Sequence, residues 1–91
     1  MANWYKNFKE IEEREVVLGI AINDRLYYSI EDVREFIDYE FNSGYGSSNG
    51  PAFTLWTECN VYFPGVYDGA EWIDSVPRNP CNISTAHIGG Q

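Results

Sequence analysis

The segment of residues 29–41, "SIEDVREFIDYEF", constrains the fold more than any other part of the chain. Its apolar residues recur three and four positions apart, which places their side chains on one face of an α-helix. These residues are Ile30, Val33, Phe36, Ile37 and Phe41. Ser29 is a typical helix N-cap, and Asp32 stands where an acid can reach back towards the cap. The pattern predicts a helix over residues 30–41 whose apolar stripe packs against a sheet.

The chain before this helix predicts one helix and one hairpin. Trp4, Phe8 and Ile11 are spaced by four and three, which is typical of a short helix over residues 3–14. The β-branched and apolar run that follows, "VVLGIAI", leads into Asn23-Asp24, a favourable pair for a tight turn. A short second strand at "LYY" completes the predicted hairpin.

The chain after the helix predicts a loop and three strands. Residues 42–51, "NSGYGSSNGP", are rich in glycine and serine and predict a loop. Strands are expected at residues 53–57, 61–67 and 70–76, with a two-residue turn at Asp68-Gly69. Pro64 and Gly65 favour a bulge or an edge position in the middle strand. The sequence predicts a single α+β domain over residues 1–91, with an antiparallel sheet of about five strands, the helix 30–41 on one face, a short N-terminal helix and an irregular tail over 77–91.

The composition restricts the partners of the protein. Fourteen acidic residues against six basic ones give a net charge of −8 and a pI near 4.3. Direct binding to nucleic acid or to an anionic membrane requires a cationic surface, so we expect neither. The hydrophobic share of 44% excludes a disordered acidic tail. We therefore expect a folded protein whose partner is a neutral or basic protein or ribonucleoprotein.

No catalytic or cofactor motif stands out. With one histidine and two cysteines, and without the spacing of a zinc or calcium site, we expect no metal and no cofactor. Cys59 or Cys81 together with His87 would be the alternative, a nucleophilic enzyme. We expect instead that the cysteines are buried small apolar residues and that His87 lies in the tail.

Nothing in the sequence predicts a membrane protein or a secreted one. No apolar stretch approaches ~20 residues, and "MANWYKNFKE" lacks the apolar core of a signal peptide. We therefore expect a cytoplasmic protein. The oligomeric state is open, since a strand around Pro64 could lie at an edge and form a homodimer, while proline also protects an edge from pairing.

Acidic residues without bases are the clearest functional feature. Residues 35–77 contain seven acids and no lysine or arginine. Glu31, Glu35 and Asp38 are spaced by four and three on the predicted helix and span about 10 Å at ~1.5 Å per residue, a spacing loosely comparable to that of nucleic-acid phosphates. The alternative is that any amphipathic helix of an acidic protein has an acidic outer face, which serves only solubility.

Small size, strong acidity, many aromatic residues and the absence of a catalytic motif resemble the small phage-encoded inhibitors of host defence, namely anti-CRISPR and anti-restriction proteins. The resemblance implies a non-enzymatic protein in the host cytoplasm that mimics nucleic acid and occupies the basic groove of a nuclease or its recognition complex. The residues expected to contact the partner are Glu31, Glu35, Asp38 and Glu40, with Tyr39 and Tyr45 as aromatic anchors. The alternative function is an adaptor module that binds a partner through a sheet edge or the loop around Tyr45.

Overall fold

The structure of the protein is a computed structural model that describes residues 2–42 and 50–88. Its elements, in chain order, are α1 (Trp4–Arg14), β1 (Val17–Ile22), β2 (Arg25–Tyr27), α2 (Ile30–Ile37), β3 (Thr54–Thr57), β4 (Asn60–Tyr67) and β5 (Ala70–Pro77). The five strands form one antiparallel sheet in the order β2-β1-β3-β4-β5. The predicted α+β class, with about five antiparallel strands and two helices, is confirmed.

Both predicted hairpin turns are present. Asn23 and Asp24 have φ angles of 53° and 60°, and Asp68 and Gly69 have φ angles of 50° and 84°. Two successive residues with positive φ are the signature of a type I′ turn, whose twist matches that of the flanking strands. Asparagine, aspartate and glycine tolerate this conformation better than other residues, which is why these dipeptides predicted the turns correctly.

The helices share one face of the sheet and enclose the core there. The α1 side chains Trp4, Phe8 and Ile11 are buried, as their spacing predicted. The remaining buried apolar side chains come from α2, the segment after it and the sheet, and they are Ile20, Ile22, Ile30, Val33, Ile37, Phe41, Phe53, Leu55 and Tyr62. The core therefore lies in a single layer between the two helices and the sheet.

The second helix ends earlier than its apolar pattern predicts. It ends at Ile37, and Asp38 already has a non-helical conformation with φ −89° and ψ 70°. The prediction of a helix to Phe41 is wrong, because the N–H and the carbonyl of Phe41 both bond to the backbone of Ala2, at 2.9 and 2.7 Å. Phe41 is nevertheless buried, with its ring centroid 4.9 Å from that of Trp4. Its spacing correctly predicted burial although its backbone is not helical.

The predicted bulge at Pro64 and Gly65 is absent. The strand β4 pairs with β5 in continuous register along its whole length, and it lies inside the sheet between β3 and β5. Since β3 pairs with β4 only at Val61 and Tyr62, Pro64 lies beyond the end of β3, where a missing N–H removes no ladder hydrogen bond. The edge strands of the described sheet are β2 and β5, so the expectation that β4 is an edge strand is wrong, although Pro64 itself has no pairing partner on β3. The irregularity that the ladder does contain lies in β1, between Val17 and Gly19.

Gly65 provides room for the indole ring of Trp72. A Cβ atom at Gly65 would lie 2.8 Å from two atoms of that ring, so a side chain there would displace it. The indole Nε1 of Trp72 donates to Asp74 Oδ2 at 3.2 Å, and the backbone N–H of Ser75 donates to Asp74 Oδ1 at 2.8 Å. One carboxylate thus holds the ring and also satisfies a backbone donor of the edge strand.

The irregular tail starts one residue later than the predicted range 77–91, because Pro77 is the last residue of β5. Residues 78–88 contain neither helix nor strand and are exposed. The N–H of Arg78 donates to the carbonyl of Cys59 at 3.0 Å, which fixes the start of the tail to the turn between β3 and β4. Residues 89–91, and most of the predicted loop at 42–51, lie outside the described residues.

Glu15 connects the end of α1 to β3 and β4. It follows the last residue of α1, and its N–H donates to the carbonyl of Ile11. Its carboxylate accepts hydrogen bonds from Thr57 Oγ1 at 2.6 Å, from Asn60 Nδ2 at 3.0 Å and from the hydroxyl of Tyr62. Thr57 is completely buried. Loss of the carboxylate would leave the buried hydroxyl of Tyr62 without this acceptor, which makes the contact important for stability.

The surroundings of Glu15 change its acidity. Burial of the carboxyl group raises its pKa, but the hydrogen bonds from Thr57, Tyr62 and Asn60 lower it, and the net result is a pKa below the usual 4.5. Burial and the bond to Glu15 raise the pKa of Tyr62. Both directions favour an ionised carboxylate and a protonated phenol at neutral pH.

Replacing Glu15 by glutamine should therefore destabilise the protein. We expect Glu15→Gln to lower the free energy of unfolding by roughly 1–2 kcal/mol, because an amide oxygen replaces an ionic acceptor shared by three donors. Glu13→Gln, at an exposed position of the same helix, is the matched control and should change it by less than about 0.5 kcal/mol. Urea unfolding followed by circular dichroism measures both, and equal effects would contradict the assigned role.

The stabilisation by Glu15 should also depend on pH. A lowered pKa in the folded state means that the unfolded chain takes up the proton first as the pH falls. The contribution is therefore complete above the usual pKa of 4.5 and is lost as the pH falls through the folded-state value below it. We expect the difference in unfolding free energy between wild type and Glu15→Gln to shrink between about pH 5 and about pH 3. A difference that stays constant over this range would argue against the network.

Candidate functional site

The acidic residues of α2 and of the segment after it form the candidate site. We call this surface the acidic face, and its residues are Glu31, Asp32, Glu35, Asp38 and Glu40. Ser29 starts the helix, since its Oγ accepts the N–H of Glu31 at 3.2 Å. Burial of the apolar stripe turns these carboxylates outward, and all five residues are exposed. The predicted return bond from Asp32 to the cap is not formed within the described chain.

Arg34 and Lys9 join Glu31 to the neighbouring residues. The guanidinium of Arg34 lies 3.6 Å from the carboxylate of Glu31, three residues before it, and 2.8 Å from the carboxylate of Asp38, four residues after it. Lys9 of α1 lies 3.7 Å from Glu31 and also contacts Glu12 at 2.8 Å. Two cationic side chains, Lys9 and Arg34, therefore lie among the carboxylates of the acidic face.

Polar side chains of α1 complete the network. The hydroxyl of Tyr5 donates to Glu31 at 2.5 Å, and the guanidinium of Arg34 lies 4.4 Å from the centre of the Tyr5 ring. Asn3 Nδ2 donates to Asp38 at 3.1 Å. Ion pairs, a hydrogen-bonded phenol and a cation–π contact thus hold α1 against α2 at the surface.

Glu40 is held in a similar way by α1. Lys6 Nζ lies 3.1 Å from its carboxylate. The predicted contact residues Glu31, Asp38 and Glu40 are therefore all paired with bases, and two of these bases come from the N-terminal helix. The window of residues 35–77 without a base did not anticipate this pairing, because Lys6 and Lys9 lie far away in the sequence.

The network keeps its carboxylates ionised. The hydrogen bond from Tyr5, followed by the charges of Lys9 and Arg34, lowers the pKa of Glu31 in spite of some desolvation. The hydrogen bonds from Arg34 and Asn3 lower the pKa of Asp38. Both side chains are therefore negatively charged throughout the physiological range.

Two carboxylates of the acidic face make no hydrogen bond or ion pair among the described residues. These are Glu35, which was among the predicted contacts, and Asp32, which was not. They project from the side of α2 that faces away from the core, since Ile30, Val33 and Ile37 occupy the opposite side. Together they provide the unpaired negative charge of the face.

Of the two predicted aromatic anchors, Tyr39 and Tyr45, only Tyr39 is among the described residues. Tyr39 is 42% exposed and its ring centroid lies 5.9 Å from that of Phe41, so it is at the surface beside the acidic face. Tyr45 lies outside the described residues. Tyr28, next to the N-cap and 72% exposed, is an aromatic surface residue that is not among the predicted contacts.

The elements of the alternative, a nucleophilic enzyme, are all at the surface. Cys59, Cys81 and His87 are exposed, and both cysteines are free thiols. The expectation that the cysteines are buried is wrong, because Cys59 lies in the turn after β3 and Cys81 in the tail rather than on a strand that faces the core.

The described residues contain neither a cluster of metal-ligand side chains nor a helix suited to cross a membrane. Over residues 2–42 and 50–88, no three histidine, cysteine or carboxylate side chains are close enough to hold a metal ion. Within the same residues, neither helix has the length and apolar character needed to cross a membrane.

The network around Arg34 should stabilise the protein in a salt-dependent way. We expect Arg34→Met to lower the free energy of unfolding at about 20 mM NaCl, and at least half of this difference should be lost at about 0.5 M, because exposed ion pairs are screened. Arg25→Met, at an exposed base of β2 without an ion pair in the described chain, is the control. Urea titrations at both salt concentrations measure the effect, and a loss unaffected by salt would show that packing of the side chain, not its charge, is responsible.

Comparison with known proteins identifies no relative. No family model, no curated protein and no solved structure matches this chain.

Proposed function

We propose that the protein is a non-catalytic inhibitor of phage type that binds a basic, nucleic-acid-handling protein or ribonucleoprotein of the host through its acidic face. It acts by occupation: its ordered carboxylates take the place of phosphates in a basic groove, so nucleic acid and inhibitor exclude each other. The host cytoplasm, where such a target works, is the proposed place of action.

The observation that carries this proposal is the charge of the helical layer. Residues 3–15 and 29–40, which comprise the two helices and their caps, contain nine acidic and four basic residues, a net charge of −5. The sheet and its turns carry −4, and Arg78 at the start of the tail brings the remainder of the chain to −3. The helical layer thus carries the larger share of the net charge, which favours steering towards a cationic partner.

The paired carboxylates support binding in a second way. Glu31 and Asp38 are fixed by Arg34, Tyr5 and Asn3 before any partner arrives. Fixed side chains lose less conformational entropy on binding than mobile ones do. Glu35 and Asp32 then supply charge that is not already neutralised within the protein.

The positions of the two cysteine thiols and of His87 support a non-catalytic function. Within the described residues, the thiols of Cys59 and Cys81 make no hydrogen bond to His87. The thiols are exposed rather than enclosed in a pocket, which does not favour a nucleophile activated by a base.

The alternative function is an adaptor module whose acidic surface serves only solubility. The internal pairing of Glu31, Asp38 and Glu40 favours this alternative, because each ion pair reduces the field that a partner would experience. The two functions differ in the salt dependence of binding to the partner.

The test uses two single charge reversals that change the net charge equally. Affinity purification from host lysate with the wild-type protein should recover a basic protein that added DNA or RNA displaces. Its affinity should fall at least about tenfold between about 50 and about 300 mM NaCl, and Glu35→Lys should weaken binding by a similar factor. Glu58→Lys, an exposed acid on the sheet side, should leave the affinity within about twofold.

Binding that is insensitive to salt, or equal losses for Glu35→Lys and Glu58→Lys, would refute charge mimicry and favour the adaptor.

A further inference from the structure

The face of the sheet opposite the helices carries an apolar groove. Side chains alternate between the two faces of a strand. Because Leu55 and Tyr62 face the helices, their neighbours Trp56 and Val61, which pair with each other, face the other way. We call this side the outer face. None of the partly buried side chains that complete the core belongs to it.

A row of paired positions crosses the outer face. Gly19 on β1 pairs with Trp56 on β3, Trp56 pairs with Val61 on β4, and Val61 pairs with Val76 on β5. Trp56, Val61 and Val76 are partly exposed. The row therefore forms an apolar strip across four strands that no described helix covers.

The groove lies at the β1 end of this row. It has a volume of about 300 Å³ and is lined by Leu18, Gly19, Leu26, Tyr28, Trp56 and Arg78. The irregularity of β1 between Val17 and Gly19 places Leu18 at its rim. At Gly19 a Cβ atom would lie 3.1 Å from a methyl carbon of Leu26, so glycine keeps the floor of the groove free. The exposed fractions of Leu18 and Leu26, 39% and 53%, show that its walls are open to solvent.

Arg78 is the charged member of the lining, and its position is fixed. Its N–H donates to the carbonyl of Cys59 at 3.0 Å and its Nε to the carbonyl of Glu58 at 3.3 Å. It forms no ion pair with any carboxylate of the described chain, in contrast to Lys6, Lys9 and Arg34. The outer nitrogens of its guanidinium remain available to an anion, and a guanidinium binds a carboxylate through two parallel hydrogen bonds.

We propose that the outer face binds an amphipathic segment of a partner polypeptide, which places an apolar side chain in the groove and a carboxylate on Arg78. The groove is large enough for one or two side chains, and the strip of Trp56, Val61 and Val76 continues it. An extended apolar strip suits a polypeptide with several apolar side chains better than a small isolated molecule. The charge of Arg78 selects an acidic segment, whereas the acidic face selects a basic one. The two surfaces are independent of each other.

A displayed library of random peptides tests the proposal directly. The wild-type protein should enrich peptides with apolar residues next to Asp or Glu. With a synthesised peptide of this class, Arg78→Glu should lower the affinity at least about tenfold, and a new selection on this variant should favour Lys or Arg in place of the acid. Arg25→Glu, at an exposed base of β2 outside the groove, is the matched control and should bind the original peptide as the wild type does.

Leu26→Ser tests the apolar wall of the groove separately and should also lower the affinity for the peptide. Circular dichroism and urea unfolding verify that each variant is folded. If Arg78→Glu does not fold, Arg78→Gln replaces it and should lose affinity without gaining a preference for basic peptides. No enrichment, enrichment of basic peptides alone, or unchanged binding by the Arg78 variants would overturn the proposal. Failure of the acidic face has a different readout, since Glu35→Lys should affect only basic ligands.

Discussion

The packing of the N-terminal helix on Phe53, the residue before β3, is the constraint on which the rest depends. The rings of Phe8 and Phe53 meet edge to face with centroids 4.7 Å apart, and Phe8 is completely buried. Full burial of a phenylalanine side chain contributes about 2–3 kcal/mol. Because β3 inserts between β1 and β4, neither half of the chain can complete the sheet alone. The position of α1, and with it the alignment of its lysines beside α2, follows from this closure.

This closure separates two kinds of surface. The helical layer is strongly acidic, and part of its charge is neutralised by the same bases that hold the helices together. The sheet side is less charged, and its centre is apolar. Electrostatic attraction acts over about a Debye length of 8–10 Å at physiological salt. The attraction between apolar surfaces, by contrast, requires direct contact that excludes water. A partner of the helical layer is therefore attracted from a distance, while a partner of the sheet is selected by shape after contact.

The sequence predicted those structural elements that are determined by residues close together in the chain. The α1 helix, both type I′ turns and the three C-terminal strands have local signals, namely a spacing of three or four, a turn dipeptide and alternation. The end of α2 could not be predicted in this way, because Phe41 is extended through its pairing with Ala2, 39 positions earlier in the chain. The same applies to the candidate site. The acids of α2 were evident from the sequence, but their pairing with Lys6 and Lys9 depends on how two helices align, which no local pattern records.

Asp74 affects whether two molecules of this protein can associate through the edge of the sheet. The strand β5 is an edge of the described sheet and carries no lysine or arginine, so it lacks the basic side chains that often protect such edges. The carboxylate of Asp74 occupies the N–H of Ser75 and adds a negative charge midway along the strand. A strand of another molecule that approached this edge would have to displace an anion from the donor it needs. One side chain thus acts as a barrier to the addition of a further strand at this edge.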